Sequence, residues 1–246
     1  MIIPLCSGME RSASTLTWQI TKCLAPISRP LNWEPGCEVK EWTGHPQDWP
    51  IKRHMYMSGK RAVIYTYRHP IEAFLSLRRC FKSDIGKKIE GDEYSFEQLT
   101  AQEADIHAMR CILEAGDVYN QYKRDRDSGR PILFLKYEDY YHHPERRIRD
   151  IVIFLLIYPG LKDNEINQIL EYTDIKKNAI RADSVGDSFH GNLDESHGMQ
   201  GQHINTKTWG KPGAALKKYA AFVDQVINDQ SLTPLKKMCE NLGYEL

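Results

Sequence analysis

An apolar run from Ile2 to Cys6 breaks at Ser7-Gly8 and gives way, within a few residues, to a helical pattern starting at Ser14: "IIPLCSGMERSASTLTW". A strand that turns into a helix through small polar residues aims backbone N–H groups and the helix's positive end at one point, a cradle for an anion. The spacing Gly8, Ala13, Ser14, Thr15 follows the phosphate-binding pattern GxxxxGK[ST], but Ser14 stands in the lysine position and Arg11 lies inside the loop. Ser12, Ser14 and Thr15 add hydroxyl donors, and Arg11 adds a planar, permanently charged fork. A nucleoside triphosphate site would require the lysine and an acidic residue holding magnesium. The same loop also reads as an ordinary turn with a serine cap.

Three short runs rich in β-branched and aromatic residues read as buried strands: Ile2–Cys6, Ala62–Tyr67 and Ile132–Lys136. A helical pattern follows each, over Ser14–Ala25, from Pro70 through "IEAFLSLRRCF", and from Pro144 to about Leu156. Leu99, Ile106, Met109 and Leu113 recur at helical spacing between the second and third strands. Ala214–Asn228 and Pro234–Leu242 also read as helical, while Pro26–Pro50 and Asp183–Asn205 read as irregular. Alternating strands and helices predict an α/β fold, a parallel sheet flanked by helices on both faces, with ligands beyond the carboxyl ends of the strands. No linker interrupts the pattern, so residues 1–246 read as one domain.

Charge narrows the partners. Lys+Arg and Asp+Glu both number 33, so no net field steers the chain to nucleic acid or an acidic membrane, and any anion site is local. Six cysteines without CxxC spacing argue for reduced thiols in a cytoplasmic setting and against a zinc site. A first strand at Ile2 leaves no room for a leader peptide, and the longest apolar run, Ile151–Ile157, is far short of the roughly 20 residues that span a bilayer.

A second motif, "VIYTYRHPIEAFLSLRR", places Arg68 at a strand end and Ser76 about two helical turns later. An arginine leaving the sheet at its ligand-binding edge and a serine hydroxyl can meet a second anion. Either residue alone is more often a surface side chain.

Together, "GMERSASTL" and "YRHPIEAFLS" resemble the cytosolic sulfotransferases and their relatives. The resemblance implies a P-loop NTPase-like three-layer sandwich and 3′-phosphoadenosine-5′-phosphosulfate (PAPS) as donor co-substrate, with no metal. The family's first loop, PKSGTTW or PRSGTT, holds the 5′-phosphosulfate. That role falls by position to Arg11, Ser12, Ser14 and Thr15, with Ala13 and Leu16 in the same loop. An Arg and a Ser eight residues apart hold the 3′-phosphate, matching Arg68 and Ser76. The family's K-T-H triplet, whose histidine is the general base, is matched by Lys52, Arg53 and His54 in "PIKRHMY". On the adenine side, "ILFLKYED" gives Tyr137 and "EYTDIKKN" gives Thr173 and Ile175. "TWGKPGAALKKY" keeps the glycine spacing of RKGxxGDWKxxF at Gly210, Gly213 and Tyr219.

The departures are specific. Thr208 and Trp209 stand where the family's Arg-Lys contacts the 3′-phosphate, leaving Lys207 or Lys211 as substitutes. Leu16 replaces a tryptophan, and Glu10, expected to point away or pair with a cation, replaces a proline.

The resemblance implies sulfuryl transfer to a hydroxyl (or amine), with His54 as base and Lys52 and Arg11 neutralising the leaving group. Glu41 is the rival base. The acceptor implied is a small molecule or glycan with a hydroxyl; neither nucleic acid nor membrane is expected, and oligomeric state is not legible. Trp33, Trp42 and Trp49, with Pro35, Pro46 and Pro50, form an acceptor wall or simply pack a loop. Two readings of other classes share these features: a nucleotide kinase or NTPase, and a non-catalytic nucleotide-binding module. His142-His143 reads as a helix start, Lys123–Asp127 as a solvated helix end, and His190, His197 and His203 lack metal-ligand spacing.

Overall fold

A computed structural model of the chain describes residues 4–9, 12–24, 51–84, 100–157, 160–184, 193–194, 199–200 and 210–246. Four strands form one parallel sheet: β1 (Leu5–Gly8), β2 (Ile51–Arg53), β3 (Val63–Tyr67) and β4 (Ile132–Lys136), in the order β2-β1-β3-β4. Leu5 of β1 pairs with Ile51 on one side and Val63 on the other, and Val63 pairs with Ile132. β1 is buried throughout, as a strand covered on both faces must be.

The sheet's alternation assigns its two layers. On one face, Ile64 and Leu135 pack with Ile20 and Leu24 of α1 (Ser14–Leu24) and with residues of two helices introduced below. On the other, Leu5, Val63 and Tyr65 meet Val118 and Tyr122 of a long helix. That helix follows α2 (Pro70–Asp84) and is α3 (Ala101–Asp127). Thr100 caps it, accepting from the Glu103 N–H while the Glu103 carboxylate accepts from the Thr100 N–H at 2.6 Å. Ala104 and Ala108 keep its flank slim, and the α2 residues Ile71, Phe74 and Leu77 join them in one core.

After β4 come α4 (Tyr137–Tyr141), α5 (Pro144–Phe154), α6 (Asp163–Tyr172) and α7 (Ile175–Ser184). Ile148 and Ile151 of α5 and Ile166 and Ile169 of α6 complete the α1 face. The chain then forms α8 (Ala214–Lys218), α9 (Ala220–Asn228) and α10 (Thr233–Asn241). The expected three-layer α/β architecture is present.

Some boundaries differ from expectation. Within the described residues the first strand begins at Leu5, after Pro4, which has no N–H to give a ladder; the expected start at Ile2 lies outside them. β2 carries one aliphatic residue in three and is an edge strand, so its sequence shows no strand pattern. The helix expected over Ala214–Asn228 breaks at Tyr219, whose φ of −117° and ψ of 38° leave the helical region. Within the stretch expected to be irregular, β5 (Leu193–Asp194) and β6 (Met199–Gln200) pair antiparallel. His143 does cap a helix start, that of α5. The end of α3 is solvated as expected, with Lys123, Arg124, Arg126 and Asp127 exposed; Asp125 is the partly covered one, accepting from Tyr56 and pairing with Arg130 at 2.7 Å. Among the described residues no helix is long and apolar enough to cross a membrane.

Candidate functional site

Because the strands run parallel, their carboxyl ends share one edge. Each is followed there by a residue singled out by the sequence: the anion loop after β1, His54 after β2, Arg68 after β3 and Tyr137 after β4.

The loop folds tightly against β3. Met9 donates its N–H to the Thr66 carbonyl at 3.0 Å. A Cβ on Gly8 would collide with Thr66 Oγ1 and lie 2.7 Å from the Thr66 carbonyl oxygen, so only glycine fits. Ser12 was expected to offer its hydroxyl to a ligand. Instead it is fully buried and donates to the Met9 carbonyl at 2.6 Å, with Thr66 Oγ1 2.8 Å away, making it a strut of the loop. Ala13 takes φ of 66°, the left-handed conformation that turns the chain into α1. Ser14 and Thr15 then open a helix with no acidic residue in its first turn, leaving the positive helix end unopposed there.

β2 brings two side chains to this loop. Lys52 Nζ donates to Thr15 Oγ1 at 2.6 Å. His54 Nδ1 lies 2.7 Å from the Gly8 carbonyl oxygen. A carbonyl only accepts, so Nδ1 carries the hydrogen and Nε2 keeps its lone pair. Burial, reinforced by the Lys52 charge, lowers the His54 pKa to about 4, against the opposing pull of the Gly8 carbonyl. The imidazole is therefore neutral at neutral pH.

At the end of β3, Arg68 is buried and pairs with Glu72 at 2.8 Å, one helical turn on. Its guanidinium also sits 4.6 Å from the centre of the Tyr137 ring. Glu72 is 1 % exposed, and its other oxygen accepts from the Ala215 N–H. Tyr137 donates to the Gly210 carbonyl at 3.0 Å, and burial pushes its own pKa up to about 12. Gly210 has φ of 71°, and a Cβ there would lie 2.6 Å from the Tyr137 hydroxyl. Next to Tyr137, the Glu138 carboxylate accepts from the His69 N–H and from the Tyr244 hydroxyl, both at 2.8 Å. This ties the ends of β3 and β4 to the C-terminal segment.

These elements surround a cavity of about 590 Å³, within the range of small-molecule sites. Of the residues expected at a donor site, it is lined by Ala13, Thr15, Leu16, Arg68, Ser76, Tyr137, Thr173, Ile175, Gly210 and Lys211. Lys52 and His54 stand beside the loop rather than in this lining. Arg11, Glu10, Glu41, Lys207, Thr208, Trp209, the three tryptophans of the Pro26–Pro50 region, and His190, His197 and His203 lie outside the described residues.

The sequence reading passed over other lining groups. Gln19 and Asn178, side by side in the lining, share a hydrogen bond at 3.2 Å in which the Asn178 amide donates to Gln19 Oε1, linking α1 to α7. Arg79 and Lys218 add positive charge, and so does Arg147, buried on α5. The signal for Arg147 was available: in "PERRIRDIVIF" it falls on the stripe of Ile148 and Ile151, where an amphipathic helix ordinarily carries an apolar residue.

A parallel sheet, a tight strand-to-helix anion loop and a cavity beyond the strand ends give the chain a sulfotransferase-like α/β fold. Among solved structures it is similar to a mouse sulfotransferase, SULT7A1, complexed with PAP. That likeness has a TM-score of 0.50 and 13% identity, and covers 95% of this chain and 88% of that one. No family model matches the sequence, and no curated protein matches it.

Proposed function

We propose that this chain is a PAPS-dependent sulfotransferase that transfers a sulfuryl group to a hydroxyl (or amine) of a small-molecule or glycan acceptor in the cytoplasm. One observation carries the reading: Lys52 and His54 converge on the anion loop, beside a cavity that Arg68 and Tyr137 line from other strand ends and Ser76 from α2. The solved complex of the mouse sulfotransferase with PAP supports it.

The residues fit the donor. Its anionic end suits the α1 N-terminus, with Thr15 and, by sequence position, Arg11. Its 3′-phosphate suits Arg68 and Ser76, with Lys207 or Lys211 as further cations. Leu16, Tyr137, Thr173 and Ile175 provide walls for a base. When bound, PAPS supplies a sulfuryl group attached to a phosphate leaving group.

The chain's own residues then have distinct tasks. His54 accepts the acceptor's proton at Nε2, the nitrogen that the Gly8 carbonyl leaves unprotonated. Lys52 neutralises negative charge developing on the leaving oxygen. An anion paired with Lys52 offsets the charge that depresses His54, which makes the imidazole a stronger base when donor is present.

Calorimetry with PAP against ATP and AMP tests the class without knowledge of the acceptor. Tight PAP binding with weak AMP and ATP binding is the expected result. Preference for ATP in the presence of magnesium would overturn it.

A further inference from the structure

Arg147 is 3 % exposed, and its Nε and Nη1 have no hydrogen-bond partner and form no ion pair among the described residues. Its two helical neighbours of the same type are accounted for: Arg146 lies 3.8 Å from Asp150 and Arg149 2.8 Å from Asp163. Arg147 is turned inward instead, onto the cavity wall, with its guanidinium 5.5 Å from the centre of the Tyr140 ring.

Burying an uncompensated charge is unfavourable, and proteins ordinarily pair such a group. The cavity's own carboxylates do not pair it. Glu72 is bound to Arg68, and Asp174 accepts from the N–H groups of Lys176 and Lys177 at the start of α7. The lining therefore carries five cations, Arg68, Arg79, Arg147, Lys211 and Lys218, against these two acids. Burial lowers the Arg147 pKa only to about 10, so it stays charged at neutral pH.

We propose that Arg147 is a ligand-binding residue of this cavity, donating from α5 to an oxyanion of the bound molecule. The proposal goes beyond the donor contacts assigned above, and it rests on the nucleotide reading only in the choice of its first probe. The oxyanion supplies the charge that the folded chain withholds. The same argument predicts a trade: the arginine weakens the ligand-free fold and strengthens the complex.

The full chain and its Arg147→Met and Arg147→Gln variants are titrated by calorimetry with PAP and with inorganic pyrophosphate, and melted without ligand. Met preserves the aliphatic stem, and Gln is the measure if the Met variant fails to fold. The expected result is affinity about tenfold or more lower in the variants, as for loss of a charge-assisted hydrogen bond, with a ligand-free Tm held or raised. Unchanged affinity for both probes would make Arg147 a purely structural residue and overturn the proposal, as would a wild-type chain that binds neither. If wild type binds pyrophosphate in an Arg147-dependent way but not PAP, the oxyanion role stands and the PAPS reading fails.

Discussion

His54 Nδ1 sits 2.7 Å from the carbonyl oxygen of Gly8, so the last residue of β1 sets the tautomer of the residue that follows β2. The nitrogen left with a lone pair is the one a base requires. His54→Ala is expected to lower turnover about a hundredfold or more, the usual scale for a positioned base, while PAP affinity stays close to wild type. Steady-state kinetics with any acceptor, beside calorimetry, checks both halves. Near wild-type turnover would move the search to carboxylates such as Glu41.

The same histidine makes stability depend on pH. In the unfolded chain it titrates near its ordinary value of 6.5, and in the folded chain at about 4. Between those values the unfolded state binds more protons, so stability falls as pH drops from 6.5 towards 4 and is unaffected by this group above 6.5. Thermal melts at pH 7.5 and 5 should show a larger loss for wild type than for His54→Asn. Equal losses would mean that His54 titrates alike in both states.

Arg68 and Glu72 are a buried pair and must be tested as one. Arg68→Ala should weaken PAP binding about tenfold to hundredfold, the effect of one charge-assisted contact of ~1.5–3 kcal/mol, and leave AMP binding nearly unchanged. It also strands the Glu72 carboxylate, a cost of about 3–5 kcal/mol for a broken buried pair. The double variant Arg68→Gln, Glu72→Gln should recover much of that stability without recovering the preference for PAP over AMP. Losses of equal size for the two ligands would detach Arg68 from the 3′-phosphate.

Ala13 holds a conformation that glycine takes freely. An L-residue there costs roughly 1–2 kcal/mol, while glycine gives back about 0.4–1 kcal/mol through its freer unfolded chain. Ala13→Gly should therefore stabilise the fold by about 0.5–1 kcal/mol, read from denaturant melts. A destabilised variant would show that the loop relaxes away from φ of 66° in solution.

Charge neutralisation by Lys52 and, by sequence position, Arg11 requires no metal, so EDTA is expected to leave sulfuryl transfer intact. Dialysis against the chelator followed by assay checks this, and a strict requirement for magnesium would favour the NTPase reading.

What the sequence made legible was local. The β1–loop–α1 unit, the Arg68–Ser76 spacing and the α3 periodicity are each written within one or two turns of chain, where the hydrophobic period reports the element directly. Strand β2 was invisible as a strand because, among the described residues, its three residues owe their form to pairing with β1 alone. Lys52 and His54 were nevertheless singled out as candidates, through the motif they resemble rather than through periodicity. Ser12 was misread because a hydroxyl's direction depends on Thr66, more than fifty positions away. Arg147 went unnoticed among three arginines although, unlike Arg146 and Arg149, it shares the buried stripe of Ile148 and Ile151.

The hydrogen bond from Tyr244 to Glu138 joins positions 106 apart, that between Asn178 and Gln19 spans 159, and the Ala215–Glu72 contact spans 143. Contacts of such separation carry a large loop-closure cost for the few hydrogen bonds they add. The cavity is thus closed over the core by a few distant fastenings. Such a region opens by sub-global unfolding at a lower free energy than the core. Ligand-induced protection from amide exchange should then concentrate in α7 and in the segment around Gly210–Ala215, while the central strands β1 and β3 exchange only through global unfolding.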